Sequence, residues 1–204
     1  MENRIINKSA EMFLKHGFKS VTMDDIALEM GISKKTIYKY FKNKKELIKI
    51  VITQLIEKIS YGIDFIFEMN LNPIDKLFTI KDFVTYYLKS ESSSPFYQLQ
   101  KYYPVIFNSL ISNQFNKVDE YVIKNLKNGI EQGLFRNDIN LKLISRFYAT
   151  GINGIKNAEL FNPIQFNNLE VQKNFLEYHL RGVCTQQGIN YIETIIKIKV
   201  NNNE

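Results

Sequence analysis

The 204-residue sequence is poor in several residue types, and each shortage removes a class of protein. Cys184 is the only cysteine, so one chain holds neither a disulfide framework nor a cysteine-based zinc site. Free cysteines of this kind are more often small buried hydrophobes than sensor thiols. The two histidines, His16 and His179, form no Ser/His/Asp set and no HExxH pattern. Glu177 and His179 are too close in sequence to share a helix face. With no Gly-rich phosphate loop either, an enzyme is excluded as the reading, and no cofactor or metal is expected. Four prolines and nine glycines in a chain rich in Ile, Leu and Lys predict a mostly helical fold. The longest uncharged stretch, Tyr102 to Asn116, is too short to cross a bilayer. Met1 to Ile6 has no apolar segment behind its charges and does not read as a secretory signal. A cytoplasmic protein with no membrane partner is expected.

What is present is charge in one place. Lys and Arg total 27 against 21 Asp and Glu, a net of +6. Residues 1–50 hold eleven basic and six acidic side chains, and in residues 31–50 seven lysines face Glu46 alone. The remainder is almost neutral. This asymmetry points to a small module that meets a polyanion, carried on a near-neutral body. Nucleic acid and an anionic membrane surface both fit such a patch.

The same fifty residues are densely punctuated. Ile6, Ala10, Phe13 and Leu14 recur at helical spacing from Arg4 to His16, and Gly17 stops that helix. Thr22-Met-Asp-Asp25 has the form of a capping box, opening a helix from Met23 to Met30 that Gly31 ends. Ser33 can cap a third short helix from Lys34 to about Tyr40, and Asn43 with Glu46 starts a fourth. Two short helices around a Gly-containing turn make a helix-turn-helix. Ala27 lets them cross closely, while Ile32 and Ile37 fill the gap. The outer face of the third helix, with Lys34, Lys35, Thr36, Tyr38, Lys39 and Tyr40, suits phosphate and base-edge contacts. A membrane role is disfavoured, because these lysines lie on a short capped helix with no apolar membrane face.

The run from Thr22 to Leu47 resembles the DNA-binding signature of the TetR (tetracycline repressor) family, and Ala10, Phe13 and Gly17 match its first helix. The segment Gly129-Ile-Glu-Gln-Gly-Leu-Phe-Arg-Asn-Asp138 is similar to a turn the family places between two regulatory helices. The resemblance implies an all-α protein: a three-helix DNA-binding domain over 1–48, then a helical effector-binding and dimerisation domain over 49–204. It matches Ser33, Lys34, Lys35, Thr36, Tyr38 and Lys39 to the recognition helix and its approach, with Lys34, Lys35 and Thr36 expected at base edges. Tyr38 and Tyr40 match phosphate contacts, Tyr40 departing from the family's frequent His. Thr22 and Lys44 match phosphate clamps at helix starts. Lys42, Lys45 and Lys49 read equally well as solubility charges. The implied partners are double-stranded DNA, a small-molecule effector and a second copy of the chain. The function expected is a ligand-responsive repressor on a pseudo-palindromic operator; an activator of the same fold, or a ligand-binding body with a vestigial DNA module, are the alternatives.

The body reads as helices over Asn43–Met69, Ile74–Lys89, Gln114–Gln132, Leu141–Leu160, Leu169–Arg181 and Gln187–Val200. Ser90–Pro95 reads as a polar loop, and Pro104 as a break within an aromatic stretch, Pro95–Phe107. Of 27 Phe and Tyr residues, 22 lie after residue 50. Most fill a helical core. Tyr86, Tyr87, Tyr103, Phe107 and Tyr148 are candidates for an effector pocket. Gly151, Gly154, Phe175 and Tyr178 are candidates for the dimer seam.

Overall fold

The computed structural model describes residues 1–88, 94–157, 159–162 and 165–201, with side chains described outside 94–96, 110–116 and 197–201. Most of the Ser90–Pro95 loop and Pro163 thus lie outside the described residues. The described chain is all-α, and its only pairing of extended backbone is an isolated bridge between Phe135 and Cys184.

Helices α1 (Glu2–His16), α2 (Met23–Glu29) and α3 (Lys34–Tyr38) close on the first half of α4 (Lys44–Glu68). Ile5, Phe13, Phe18, Ile26, Ile37, Phe41, Leu47 and Ile48 are completely buried between them. This core does not stop at residue 48. Leu88, Leu99, Ile106 and Phe107, all from the body, belong to it. A second core gathers Ile74, Leu77, Leu126, Phe135, Leu180 and Ile192. It is built from α5 (Pro73–Leu88), α7 (Pro104–Glu131), α9 (Asn168–Val183) and α10 (Gln186–Asn201). The short α6 (Ser94–Tyr102) packs on α7 and reaches α1, and α8 (Leu141–Gly154) lies between α7 and α9.

Two expectations about the body are corrected. The expected break at Pro104 is present, between α6 ending at Tyr102 and α7 opening at Pro104, but the expected helix start at Gln114 is not: α7 runs unbroken for 28 residues through it. At the first helical position the missing amide has no intrahelical acceptor to lose, and the fixed φ suits the helix. Helix α8 ends at Gly154, not Leu160. Beyond it Asn157 Oδ1 accepts from the Glu159 amide at 2.9 Å, holding a turn in place of another helical turn. The Gly129–Asp138 segment closes α7 through Gly133, at φ 70°, and turns the chain into α8.

Candidate functional site

The helix-turn-helix is assembled by local hydrogen bonds. The Asp25 amide donates to Thr22 Oγ1 at 3.1 Å, and the Thr22 amide and hydroxyl both donate to Asp25 Oδ2 at 2.8 Å. These bonds, with Lys44 nearby, hold the Asp25 carboxyl below the usual carboxylate range. Gly31 takes φ 64°, in the left-handed region, and the Ile32 amide returns to the Ala27 carbonyl at 3.0 Å. Ser33 Oγ then accepts from the Thr36 amide at 3.1 Å and shares a 2.8 Å bond with the Thr36 hydroxyl. Helix α3 buries only Ile37, which anchors it to the core. Its remaining surface is free for contact: Lys34, Lys35 and Lys39 are exposed, and Tyr38 and Tyr40 are each more than two-fifths exposed.

Sequence reasoning missed how several of these groups are engaged. Lys34 Nζ lies 2.7 Å from Asp24 Oδ2, which raises the ammonium above its ordinary value. The nearest base-edge candidate to the turn is therefore tethered to α2. Lys44 donates to the Lys19 carbonyl at 2.9 Å, and its partial burial pushes its pKa down. One of its three N–H donors thus ties the start of α4 to the α1–α2 loop. The Thr22 hydroxyl is likewise used inside the cap. Lys8 bridges Glu29 at 2.8 Å, fastening α1 to α2. The Thr22 cap is the one the sequence signals; no short motif signals the contacts of Lys34, Lys44 and Lys8, because each joins residues ten or more apart.

The start of α4 carries its own box: Asn43 Oδ1 accepts from the Glu46 amide at 2.9 Å, and Glu46 Oε2 accepts from the Lys42 amide at 2.6 Å. From there α4 runs into the body as one wall of a cavity of about 1060 Å³. Ile52, Ile56, Ile59, Ile63 and Phe67 contribute from α4, Leu77, Ile80 and Val84 from α5, and Val118 and Val122 from α7. Phe107, Tyr148 and Phe175 also line it. The other aromatic candidates do not. Tyr86 is 78% exposed, because α5 turns this position to the outside. Tyr87 and Tyr103 pack against the N-terminal core. Burial raises the Tyr148 hydroxyl to about 12, and its ring lies 5.5 Å from that of Phe175.

The dimer candidates divide in the same way. A Cβ on Gly151 would lie 2.2 Å from the Phe175 ring, so these two pack together within one chain. Gly154 has open space before it, and Tyr178 is 79% exposed. Leu143 and Phe147, both on α8, are exposed apolar neighbours that the sequence reading did not single out. Among the described residues no cluster of His, Cys, Asp and Glu could hold a metal, and no helix is long and apolar enough to cross a membrane.

An N-terminal helix-turn-helix with a basic outer helix, mounted on an all-helical body, is the architecture of a DNA-binding regulator. Residues 5–51 match the family described as bacterial regulatory proteins, tetR family. The HTH-type transcriptional regulator YvaF of Bacillus subtilis (strain 168) is 25% identical over 92% of this chain and 97% of its own. UidR of Escherichia coli (strain K12), another HTH-type transcriptional regulator, is 25% identical over 70% of this chain and 73% of its own. Among solved structures, a transcriptional regulator from Cytophaga hutchinsonii superposes with a TM-score of 0.69 at 21% identity, covering 90% of this chain and 98% of its own. Regulatory protein TetR from Rhodobacter sphaeroides gives 0.67 at 15% identity, covering 88% and 96%. Residues 5–51 thus carry the DNA-binding domain of the TetR family of helix-turn-helix transcriptional regulators. The chain is a transcriptional regulator with a DNA-binding helix-turn-helix.

Proposed function

We propose that the chain is a cytoplasmic, homodimeric repressor released from its operator by a small molecule held in the body cavity. Residues 1–48 form the DNA-binding domain, and 49–204 the effector and dimerisation domain. The observation that carries this reading is the double duty of α4. Its side chains Ile52 and Ile59 belong to the N-terminal core and also line the cavity. A molecule entering the cavity therefore presses on the helix that positions the DNA-binding module.

In this reading Lys34, Lys35 and Thr36 meet base edges, and Ser33, Tyr38, Lys39 and Tyr40 meet the backbone around them. Thr22 and Lys44 hold phosphates at two helix starts, Lys44 with the donors left over from Lys19. Two such modules would occupy successive major grooves about 34–36 Å apart. Phe107 and Tyr148 belong to the effector pocket. The dimer seam uses the outer faces of α8 and α9, around Gly154 and Tyr178, where exposed Phe147 also supports it.

The test is fluorescence anisotropy on an operator obtained by in vitro selection, with sedimentation velocity on the same preparations. Lys34→Ala and Lys35→Ala are expected to erode the preference for operator over random duplex, whereas Lys44→Ala weakens both about equally. Phe147→Glu and Tyr178→Glu are expected to yield monomers. Operator footprints left unchanged by both recognition-helix variants would overturn the DNA assignment.

A further inference from the structure

Lys156 is out of character with the cavity it lines. It sits in the turn after α8, where its amide donates to the Asn153 carbonyl at 3.2 Å. The neighbouring lining from α8 and the chain that follows is apolar: Tyr148, Ile152, Ile155, Phe161 and Phe166. Among the described residues no carboxylate pairs with the Lys156 ammonium and no acceptor receives a hydrogen bond from it. Burial brings its pKa down from 10.5 to about 8, so most of it still carries a charge at neutral pH. Lysines are almost never placed in apolar surroundings without a partner, because an unpaired charge there is costly.

The carboxylates that also line the cavity are elsewhere engaged or open to water. Glu46 caps α4, Asp64 accepts from the Tyr121 hydroxyl, and Glu57 is exposed. The lining follows α4 from Asn43 to Phe67, which at 1.5 Å per residue is a trough roughly 35 Å long. Lys42, Lys45, Lys49 and Lys117 also line the trough but are exposed to water, whereas Lys156 stands unpaired against apolar walls. A trough of that length with such a cation fits an elongated apolar molecule that ends in an anion.

We infer that the effector is a long-chain carboxylate, its chain lying along α4 and its head paired with Lys156. This rests on the effector reading of the cavity proposed above and names the chemistry that the site takes. Lys156 would then be the specificity-determining residue, separating acids from alcohols and esters of the same chain length.

The test uses the full chain loaded with Nile red, a neutral apolar dye, displaced by hexadecanoate, methyl hexadecanoate or hexadecanol. Wild-type protein is expected to bind the dye and to prefer the acid over both neutral competitors by about ten-fold or more, the ordinary worth of a hydrogen bond to a charged group. Lys156→Met should abolish that preference while leaving hexadecanol displacement unchanged, and Lys156→Arg should keep it. Dye displaced equally well by acid and alcohol in the wild type would overturn the head-group assignment and leave the apolar effector cavity standing. A preference for the acid that survives in Lys156→Met, or is lost in Lys156→Arg while hexadecanol still competes, would also overturn it. Failure of the dye to bind, or of any competitor to displace it, would overturn both.

Discussion

His179 makes the body measurably sensitive to acid. Its ring lies 4.5 Å from the Tyr148 ring on the cavity wall, and burial lowers its pKa from 6.5 to about 4. The unfolded chain takes up a proton near pH 6.5, whereas the folded chain resists until about pH 4. Stability from the neutral imidazole is therefore complete above pH 6.5 and is lost as pH falls through 4. At 1.36 kcal/mol per pH unit, the loss from this one side chain between pH 7 and pH 5 is at most about 2 kcal/mol. Partial exposure of the ring to water brings the expected figure to about 1–2 kcal/mol, a sizeable share of the ~5–15 kcal/mol that holds a domain folded. Urea unfolding followed by far-ultraviolet circular dichroism at pH 7, 6 and 5, at one protein concentration, would measure it. His179→Phe keeps the ring packing and removes the titration. Carboxylates such as Asp25 and Glu29, whose pKa values are lowered by their partners, weaken both proteins alike in acid. The wild type should thus lose about 1–2 kcal/mol more than His179→Phe on going to pH 5. Parallel curves across the range would show that His179 is solvated in the folded chain and would refute the argument.

Three further outcomes follow from the DNA-binding module. Asn43→Ala removes the side-chain acceptor at the start of α4 and should cost about 1 kcal/mol in urea unfolding, with weaker operator binding because this cap joins the module to its lever. Gly31→Ala meets no atom within 4 Å, so its cost is that of the left-handed backbone alone, about 1 kcal/mol, read as a lower melting temperature that Gly31→Asn partly restores. Asp24→Asn breaks the 2.7 Å tether on Lys34 and removes a negative charge beside the groove; anisotropy should show tighter operator binding with the melting temperature unmoved.

The parts of this molecule that were legible in the sequence are the parts held by neighbours in the chain. Thr22 with Asp25, Ser33 with Thr36, and Asn43 with Glu46 are three residues apart, and each bond follows from residue type and spacing. The cavity was not legible, because helical periodicity shows that a helix has an apolar face without saying what that face meets. Tyr86 and Tyr87 are adjacent on α5, yet one is at the surface and the other against the N-terminal core. Pro104 could equally end a helix or begin one, and only the course of the chain after it decides. Gly151 offers a close approach to any surface, and the ring that fills it is Phe175, 24 positions later. Lys156 gave no signal at all: nothing local to it says that α8 stops two residues earlier and leaves this residue in the cavity lining.

The fastening of α4 decides how a ligand could act through it. Its body end is pinned from several sides. Lys76, itself buried, donates to the Phe67 carbonyl at 3.0 Å; the Phe67 and Tyr121 rings stack at 5.0 Å; and the Tyr121 hydroxyl donates to Asp64. Among the described residues the other end makes no hydrogen bond or ion pair with the body and meets it only through the apolar core shared with Leu88, Leu99, Ile106 and Phe107. Expansion of the cavity would then swing α4 about the Phe67 end. A 25-residue helix is about 37 Å long, so a tilt of about 5° carries its far end by about 3 Å. In the proposed homodimer that displacement occurs twice, against a groove spacing that has to be met at about 34–36 Å. Helix α6 limits the swing. Gln98 accepts from the Lys19 amide at 2.8 Å, and the Lys19 ammonium lies 4.1 Å above the Tyr102 ring, so the loop between α1 and α2 is held from the body by a second route. A ligand that loads α4 without moving α6 must strain or break those contacts. A coupling of about 1–3 kcal/mol, enough for a ~5–150-fold change in operator affinity, is therefore set by what the α6 contacts resist as well as by what the cavity binds.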